Sequence, residues 1–248
     1  MNFQGKVALV TGGSKGIGRA VSLALAKAGA SVAVNYSSDA GAAEEVVKCI
    51  SSGPGKAMAI KADVSSVSGV EDLVSQTVSH FGRIDVLVAN AGVLPMKDLK
   101  STTEADWDST FALNVKGPYF LAQKAVPHMP KGSHIILTST TLCAASTVTP
   151  PYLLYNSTKG AIEQMTKVLA KDLGRPEAGG ILVNCVAPGP TGTELFYKGK
   201  SEQLVNMIAN FNPQARIGTP EEIAEAVLFL AGSTWTSGQI LRVNGGMA

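Results

Sequence analysis

The stretch from Val7 to Gly18 constrains the fold of this chain more than any other, because an apolar run passes directly into a glycine-rich segment. It reads VALVTGGSKGIG. Four consecutive apolar residues without polar alternation are typical of a strand that is buried on both faces of a parallel sheet. Apolar residues then recur at helical spacing from Ile17 to Ala28, and Gly29 follows where a helix would end. The stretch therefore predicts a strand, a tight loop and a helix in direct succession.

The loop between this strand and this helix carries glycines at positions 12, 16 and 18, a G-x-x-x-G-x-G spacing. In dinucleotide-binding loops, glycines allow the tight turn, the close approach of a pyrophosphate and the packing of helix against strand. Free amides and the positive end of the helix dipole make a helix start an anion site. A plain strand-to-helix turn would show the same glycines. As a binding loop, the segment would use Gly12, Ser14, Lys15, Gly16, Ile17 and Gly18.

Strand and helix patterns alternate along the whole chain. After the first strand, apolar runs at 31–36, 57–60, 84–88, 135–137, 181–186 and 239–243 predict further strands, with helical patterns between them. Each early strand-helix step takes about 30 residues, as in βαβ units. The alternation predicts an α/β fold in which helices flank a doubly wound parallel sheet, with residues 1–248 forming a single domain.

Composition argues against several classes of function. The formal net charge is only +2 and the charges are scattered, so we expect neither nucleic-acid binding nor a polybasic membrane anchor. The sequence shows no signal peptide and no long apolar span, which predicts a soluble, cytoplasmic protein. The three cysteines and three histidines have neither disulfide-framework nor metal-ligand spacing, so no metal site is predicted.

The exit of the second predicted strand indicates which dinucleotide is bound. A site that prefers NAD places an acidic residue there to bind the ribose 2′-hydroxyl. Asn35, Tyr36 and Ser37 occupy this exit, and no acid precedes Asp39. A carboxylate would repel a 2′-phosphate, whereas amide and hydroxyl groups and the nearby Lys15 ammonium would accept it. The sequence therefore predicts NADP(H), and the alternative is that Lys15 simply points into solvent.

Two further strands are each followed by residues suited to a cofactor crevice. The carboxyl ends of parallel strands share one edge of a sheet, so residues after each strand meet there. Asp63 could accept a hydrogen bond from an adenine amino group, and a glycine after the fourth strand would let the backbone approach the cofactor. A turn-forming role explains each residue equally well. The predicted crevice residues at these two strand ends are Asp63, Val64, Asn90, Ala91 and Gly92.

Tyr155 and Lys159 lie four residues apart in an apolar helical stretch, so both face the same side of a helix. A free tyrosine titrates near ~10 and is a weak base at neutral pH. A neighbouring ammonium favours the phenolate and lowers the tyrosine pKa, which makes the phenol usable as a general acid and base. Asn114 lies inside another helical stretch, 103–129, where asparagine is a poor choice unless its side chain has a further use. These residues predict proton-transfer chemistry.

In their order and spacing, these motifs resemble the classical short-chain dehydrogenase/reductase family over essentially the full length. The matching residues are Thr11, Gly12, Gly16, Gly18, Asp63, Asn90, Ala91, Gly92, Asn114, Tyr155, Lys159, Pro188, Gly189 and Thr193. The resemblance implies a Rossmann-like domain that moves a hydride between the nicotinamide of NADP(H) and a carbonyl or alcohol carbon. It also implies that Tyr155 protonates the developing alkoxide, that Lys159 holds the nicotinamide ribose, and that Asn114 supports a proton-relaying water. The nicotinamide end would be held by Pro188, Gly189, Thr191 and Thr193.

One catalytic group in this resemblance is ambiguous. The family places a hydroxyl after the fifth strand to polarise the substrate carbonyl, but the position that usually holds this serine, counted back from the tyrosine, is Leu142 here. Counting from the strand instead places Thr140 there, with Ser139 just before it, and implies a lengthened loop. We favour Ser139 by residue type, and Thr140 is nearly equal by register.

Residues 190–220 are predicted to cover the substrate, because the corresponding segment does so in the family. The segment contains Leu195, Phe196, Met207 and Phe211, which favours a moderately hydrophobic carbonyl compound. A surface helix pair packed on the core would have the same composition. In relatives, the final helix and strand build subunit contacts, so the resemblance also implies a homo-oligomer, either a tetramer or a dimer.

The sequence thus predicts an NADPH-dependent carbonyl reductase that acts on a cyclic or polyketide-type ketone. It resembles the branch of the family with polyhydroxynaphthalene reductase-like and 3-oxoacyl-carrier-protein reductase-like enzymes. A 3-oxoacyl thioester reductase is therefore an alternative, although no concentrated basic patch for a carrier protein is evident. A non-catalytic NADP(H)-binding sensor or scaffold would keep the fold without the chemistry. The presence of Asn114, Tyr155 and Lys159 with a nearby hydroxyl favours the enzyme.

Overall fold

The computed structural model describes residues 1–53 and 55–248, and the strands in this part of the chain form one parallel sheet. Its strands are β1 (Val7–Val10), β2 (Ser31–Tyr36), β3 (Ala57–Lys61), β4 (Val86–Ala89), β5 (His134–Thr138), β6 (Leu182–Pro188) and β7 (Ile240–Val243). Their order in the sheet is β3-β2-β1-β4-β5-β6-β7, with every neighbouring pair parallel. The direction of winding reverses between β1 and β4, and such a switch point opens a crevice for ligands at the carboxyl ends of the strands. The doubly wound parallel sheet is confirmed.

Helices cover both faces of this sheet. They are α1 (Gly16–Lys27), α2 (Ala40–Ser51), α3 (Val67–Phe81), α4 (Glu104–Phe111), α5 (Gly117–Ala125), α6 (Leu153–Leu173), α7 (Glu194–Tyr197), α8 (Glu202–Ala209) and α9 (Pro220–Gly232). Residues of α1, α2 and α9 pack in one hydrophobic core, and those of α3, α5 and α6 pack in the other. Among the described residues, none of the helices has the combination of length and hydrophobicity that a bilayer crossing requires.

The apolar run in β1 is explained by burial on both faces. Ala8 and Val10 lie in the core under α1 and α9, whereas Leu9 points to the opposite core. All four residues of β1 are buried. Because side chains alternate across a strand, a strand between two helical layers has no solvent-facing position for a polar residue.

Most predicted boundaries differ from the structure by only one or two residues, and two differences have a clear physical reason. The fourth strand begins at Val86 and not at residue 84, and the Asp85 carboxylate before it accepts hydrogen bonds from Val7 N and Arg83 Nε, both at 2.9 Å. The helical stretch 103–129 begins as predicted with a cap at Thr103, but it is not continuous. A π-helical segment, Ala112–Lys116, separates α4 from α5, and its closing bond runs from the Gly117 amide to Ala112 O.

His134, at the start of β5, is buried and not on the surface where its residue type would place it. Burial, with a smaller effect of the Lys6 charge, lowers the pKa of His134 from 6.5 to about 4. The unfolded chain therefore binds a proton at higher pH than the folded chain, so acid favours unfolding as the pH falls from 6.5 to about 4.

We expect protonation of His134 to lower the free energy of unfolding by up to about 3 kcal/mol as the pH falls over this range, since each pKa unit corresponds to about 1.4 kcal/mol. Urea denaturation at a series of pH values measures this loss. A His134→Gln variant should show a shallower pH dependence over the same range. Identical slopes for variant and wild type would contradict the assignment.

Candidate active site

The glycine loop after β1 has the backbone that the sequence predicts. Gly12 has a φ of +59°, in the left-handed region, and an added Cβ would come within 3.2 Å of both Ala91 Cα and Asn90 Nδ2. A Cβ on Gly18 would overlap the carbonyl oxygen of Gly12. Larger residues are therefore excluded where helix α1 meets the loop, and the backbone stays open to a ligand. The amides of the first turn of α1 have no partner within the helix, as at any helix start.

The loop is held in place by the side chain of its own Thr11 and by two asparagine side chains at the ends of neighbouring strands. Asn90 Nδ2 donates to Thr11 O at 3.0 Å, and the Thr11 hydroxyl accepts from Asn90 N at 3.0 Å and from Ala91 N at 3.1 Å. Asn35 Oδ1 accepts from Gly12 N at 3.2 Å. These bonds connect the ends of β1, β2 and β4, so the crevice is fixed by contacts across the sheet.

Asn35 makes its contacts inside the protein, whereas the sequence predicts that it contacts the cofactor. Its side chain is buried, and Nδ2 donates to the carbonyl oxygens of Ile60 and Ala62 at 3.3 and 3.1 Å. Both ends of the amide are thus used inside the protein, between β3 and the glycine loop. Asn35 therefore supports the loop and is not free to receive a 2′-phosphate itself.

Lys15 is bound by carboxylates and does not point freely into solvent. Its ammonium lies 2.6 Å from Asp39 Oδ2 and 3.6 Å from Glu194 Oε2. Asp39 also accepts from Ala42 N at 3.0 Å, which caps α2. The hydrogen bond with Asp39 raises the pKa of Lys15, and the same bond lowers the pKa of Asp39. The acid that the sequence analysis placed beyond the strand exit therefore contacts the predicted phosphate-binding lysine.

The predicted adenine end lies at the exits of β2 and β3. Tyr36 is half-buried, whereas Ser37 and Asp63 are exposed and Val64 is buried. Asp63 Oδ1 accepts from Ser65 N at 2.9 Å, and hydrogen bonds from Ser65 lower the pKa of Asp63. The Asp63 side chain is therefore ionised at neutral pH and able to accept further hydrogen bonds.

A cavity of about 700 Å³ opens at the carboxyl ends of the strands. Most of the predicted site residues line it, namely Gly12, Lys15, Gly16, Ile17, Asn90, Ala91, Gly92, Ser139, Thr140, Tyr155, Lys159, Pro188, Gly189, Thr191 and Thr193. The lining does not include Ser14, Gly18, Asn35, Tyr36, Ser37, Asp63, Val64 and Asn114. The residues that line the cavity therefore share one continuous space, at the end of the crevice that is predicted to hold the nicotinamide. The other predicted residues lie beneath the loop, at the predicted adenine end or behind the cavity wall.

Three polar groups converge inside this cavity. The Thr140 hydroxyl lies beside the Tyr155 phenol and acts to lower the pKa of that phenol. Lys159 Nζ lies 5.7 Å from the centre of the Tyr155 ring and donates to Thr138 O at 2.7 Å. The helix α6 therefore places its phenol and its ammonium against the exit of β5.

The hydroxyl beside Tyr155 belongs to Thr140, so the structure favours Thr140 over Ser139 as the candidate donor. Ser139 is buried, and its Oγ donates to Glu163 Oε1 at 3.1 Å. Successive side chains at the end of a strand point in opposite directions, so only one of the two hydroxyls is oriented toward the phenol. The position counted from the end of β5 therefore identifies the hydroxyl beside Tyr155 better than residue type does.

Burial decides the proton affinities of the central pair. It raises the pKa of Tyr155 above its ordinary value of 10.0, and the hydrogen bond with Thr140 acts in the opposite direction. Burial also lowers the pKa of Lys159 to about 8. The sequence predicts that Lys159 lowers the pKa of Tyr155, but burial has the larger effect on this pKa in the structure. Tyr155 therefore holds its proton at neutral pH, which is the state that a general acid requires.

Asn114 connects the exit of β4 to α6. Its Oδ1 accepts from Val93 N at 2.9 Å, and its Nδ2 donates to Val93 O at 3.0 Å and to Thr158 Oγ1 at 3.1 Å. The side chain is buried and lies at the centre of the π-helical segment. The further use that the sequence analysis expected of this asparagine is thus a contact between two walls of the site.

Residues 190–220 contribute the outer wall of the cavity through α7 and α8. Leu195, Phe196, Met207 and Phe211 line it, and three of them are about half exposed. The lining also includes residues that were not predicted from the sequence, which are Val93, Leu94, Met96, Thr147, Val148, Thr149 and Tyr152. They belong to the loops after β4 and β5, and their position after those strands was the signal that could have identified them.

The fold and the site together define a dinucleotide-binding α/β oxidoreductase, in which a phenol, an ammonium and a hydroxyl meet beside a glycine loop. A family model described as "Enoyl-(Acyl carrier protein) reductase" matches residues 12–248. The chain belongs to the classical short-chain dehydrogenase/reductase family, whose members act on CH–OH and C=O groups.

Similar proteins are found along nearly the whole chain. The short chain dehydrogenase/reductase AacuN of Aspergillus aculeatus is 41% identical over 257 residues, which cover 98% of this chain and 96% of that protein. Versicolorin reductase 1 of Aspergillus parasiticus is 39% identical, with 98% and 97% covered. The crystal structure of the angucycline C-6 ketoreductase LanV with bound NADP is 35% identical, has a TM-score of 0.90, and matches 99% of this chain and 96% of its own.

Proposed function

We propose that this protein reduces the carbonyl group of a cyclic or polyketide-type ketone with NADPH, and that Tyr155 is the general acid. The observation that carries the proposal is the convergence of Thr140, Tyr155 and Lys159 in one cavity next to the glycine loop. A sensor or scaffold that only binds the dinucleotide would not need this arrangement of proton donors. We further propose that residues 1–248 act as a single domain, in which 190–220 cover the substrate.

The site fits NADP(H) as cofactor. Gly12 and Gly18 keep the loop backbone free of side chains, and the amides at the start of α1 suit a pyrophosphate. Lys15 and Ser37 would hold the 2′-phosphate, Asp63 the adenine, and Lys159 the nicotinamide ribose. Pro188, Gly189, Thr191 and Thr193 would hold the nicotinamide end. When bound, NADPH supplies the hydride that reduces the carbonyl carbon.

The protein's own groups handle the carbonyl oxygen. Thr140 and Tyr155 would each donate a hydrogen bond to this oxygen, which stabilises the negative charge as it develops. Tyr155 would then transfer its proton to the alkoxide, and the hydrogen bond from Thr140 would stabilise the phenolate that remains. The Lys159 ammonium, 5.7 Å from the centre of the Tyr155 ring, would favour that phenolate and would supply the proton that restores the phenol. Asn114 would maintain this relay by holding Val93 and Thr158.

The walls of the cavity favour a flat, largely apolar substrate. Phe196, Met207 and Phe211 line the cavity together with Met96 and Tyr152. Aromatic and thioether side chains offer a large apolar area and make favourable contacts with the rings of a substrate. The names of similar proteins, versicolorin reductase 1 and angucycline C-6 ketoreductase, support a cyclic ketone.

The test is cofactor oxidation by wild-type protein with a panel of cyclic ketones, quinones and a β-ketoacyl thioester, comparing NADPH with NADH. The proposal expects NADPH-dependent turnover that is fastest on a cyclic ketone. Preference for the thioester would favour the 3-oxoacyl thioester reductase. Tight NADPH binding without turnover of any substrate would contradict the proposal and favour the sensor.

Replacing Lys15 by alanine should weaken NADPH binding and spare NADH. A charge-assisted contact to phosphate contributes roughly 1.5–3 kcal/mol, so we expect the Kd of NADPH to rise at least about tenfold. Fluorescence titration with each cofactor measures the two values. Lys27→Ala, at the exposed far end of α1, is the matched control. An equal change for both cofactors would show that Lys15 does not contact the 2′-phosphate.

A further inference from the structure

Behind the reactive end of the cavity, the hydroxyl of Ser139 is bound by a carboxylate from α6. The Ser139 amide donates to Val186 O at 2.8 Å, and its Oγ donates to Glu163 Oε1 at 3.1 Å. Lys159 O and Cys143 Sγ lie farther from the same oxygen, at 3.4 and 3.8 Å. A hydroxyl has one proton to donate, and a carboxylate is the strongest of these acceptors. Ser139 therefore has a fixed orientation, which its hydrogen bond to Glu163 sets.

Glu163 lies one turn after Lys159, on the same face of α6. Lys159 binds Thr138 O at 2.7 Å, and Glu163 binds the hydroxyl of Ser139. Two successive residues at the exit of β5 are thus attached to two successive turns of the helix that carries Tyr155. In residues 1–53 and 55–248, Glu163 takes part in no salt bridge. Ser139 is therefore the polar contact that its carboxylate makes with the protein.

We propose that Glu163 is a positioning residue, which fixes the exit of β5 through Ser139 and thereby sets the separation of the Thr140 and Tyr155 hydroxyls. Thr140 is the next residue along the chain, so rotation or displacement of Ser139 moves it directly. Catalytic groups have to be held within about 0.5 Å of their productive geometry. The described lining of the cavity does not include Glu163, so the carboxylate acts through Ser139 and not on the substrate. The inference rests on the proposed ketone reduction.

The first experiment compares kcat for a cyclic ketone among three variants. Glu163→Ala should lower kcat about tenfold, since small misplacements of reacting groups cost rates of this order, while KM for NADPH stays the same. Glu163→Gln keeps an oxygen that accepts the Ser139 hydroxyl, so it should retain most of kcat. Asp172→Ala removes an exposed acid from the same helix and should leave kcat unchanged. Wild-type kcat in Glu163→Ala, or equal losses in the alanine and glutamine variants, would overturn the proposal.

A double-mutant cycle with Ser139→Ala tests whether the two residues act as one unit. If Glu163 acts through Ser139, the double variant loses no more kcat than either single variant, whereas independent roles would multiply the losses. Circular dichroism and thermal unfolding of each variant establish that it is folded. Losses in kcat that multiply in the folded double variant would overturn the proposal.

A crystal structure of Glu163→Ala gives a readout that does not depend on turnover. We expect the separation between Thr140 Oγ1 and Tyr155 Oη to be longer in this variant than in the wild-type protein, and an unchanged separation would overturn the proposal. Lack of turnover by the wild type would count against the proposed function instead. The separation of the two hydroxyls would still decide the role of Glu163.

Discussion

Replacing Tyr155 by phenylalanine is expected to abolish most ketone reduction while the protein still binds NADPH. The variant removes only the phenolic oxygen, so the apolar contacts of the ring remain. General acid catalysis contributes a factor of about 10²–10⁴, and we expect kcat to fall by about 10³. Steady-state kinetics measures this loss, and fluorescence titration measures NADPH affinity.

Tyr152→Phe is the matched control for this prediction. Tyr152 lines the same cavity one turn earlier, and its phenol has no role in the proposed reaction. Its loss should change kcat by no more than about twofold, as for a contact that does not take part in the chemistry. If Tyr155→Phe and Tyr152→Phe had similar activities, Tyr155 would not be the acid.

The two hydroxyls at the exit of β5 are expected to differ strongly in their effect. Thr140→Ala removes the hydroxyl beside Tyr155, and the loss of one donor to a developing oxyanion costs about 10²–10³ in kcat. Ser139→Ala leaves that donor in place and should cost only about tenfold, through the displacement of Thr140. Parallel kinetics of the two variants on the same ketone gives the ratio.

Thr140→Ser distinguishes a chemical role of Thr140 from a structural one. The Thr140 hydroxyl also accepts from Leu142 N at 3.3 Å, so its removal affects the following turn. Serine keeps the hydroxyl and loses only a methyl group, so kcat should recover to near the wild-type value. A larger loss in Ser139→Ala than in Thr140→Ala would reverse the assignment of the two residues.

Local patterns in the sequence were enough to predict the framework of the site. The apolar run of β1, the glycines after it and the helical spacing up to Gly29 each act over a few residues, and the structure confirms their succession. The four-residue spacing of Tyr155 and Lys159 fixes their common face, because a helix has the same geometry wherever it lies. Such features depend on backbone geometry and burial, which a short segment already encodes.

Two side chains have partners that are distant in the sequence and that residue type did not reveal. Ser139 binds Glu163, and Asn35 binds the glycine loop and β3. Lys15 also forms an ion pair with the distant Asp39, and its contact with the 2′-phosphate stays a prediction. Residue type alone suggested that Ser139 and Asn35 face a ligand, because hydroxyls and amides bind ligands and protein groups equally well.

The sequence by itself therefore determined the parallel α/β fold, the glycine loop and the Tyr155–Lys159 pair, since hydrophobic period and helix geometry are local properties. Only the tertiary structure decided that Thr140, and not Ser139, approaches the phenol. That choice depends on where α6 presents Glu163 and Lys159 against the end of β5. A hydroxyl turns toward the strongest acceptor within reach, and which acceptor is within reach is known only when the chain is folded.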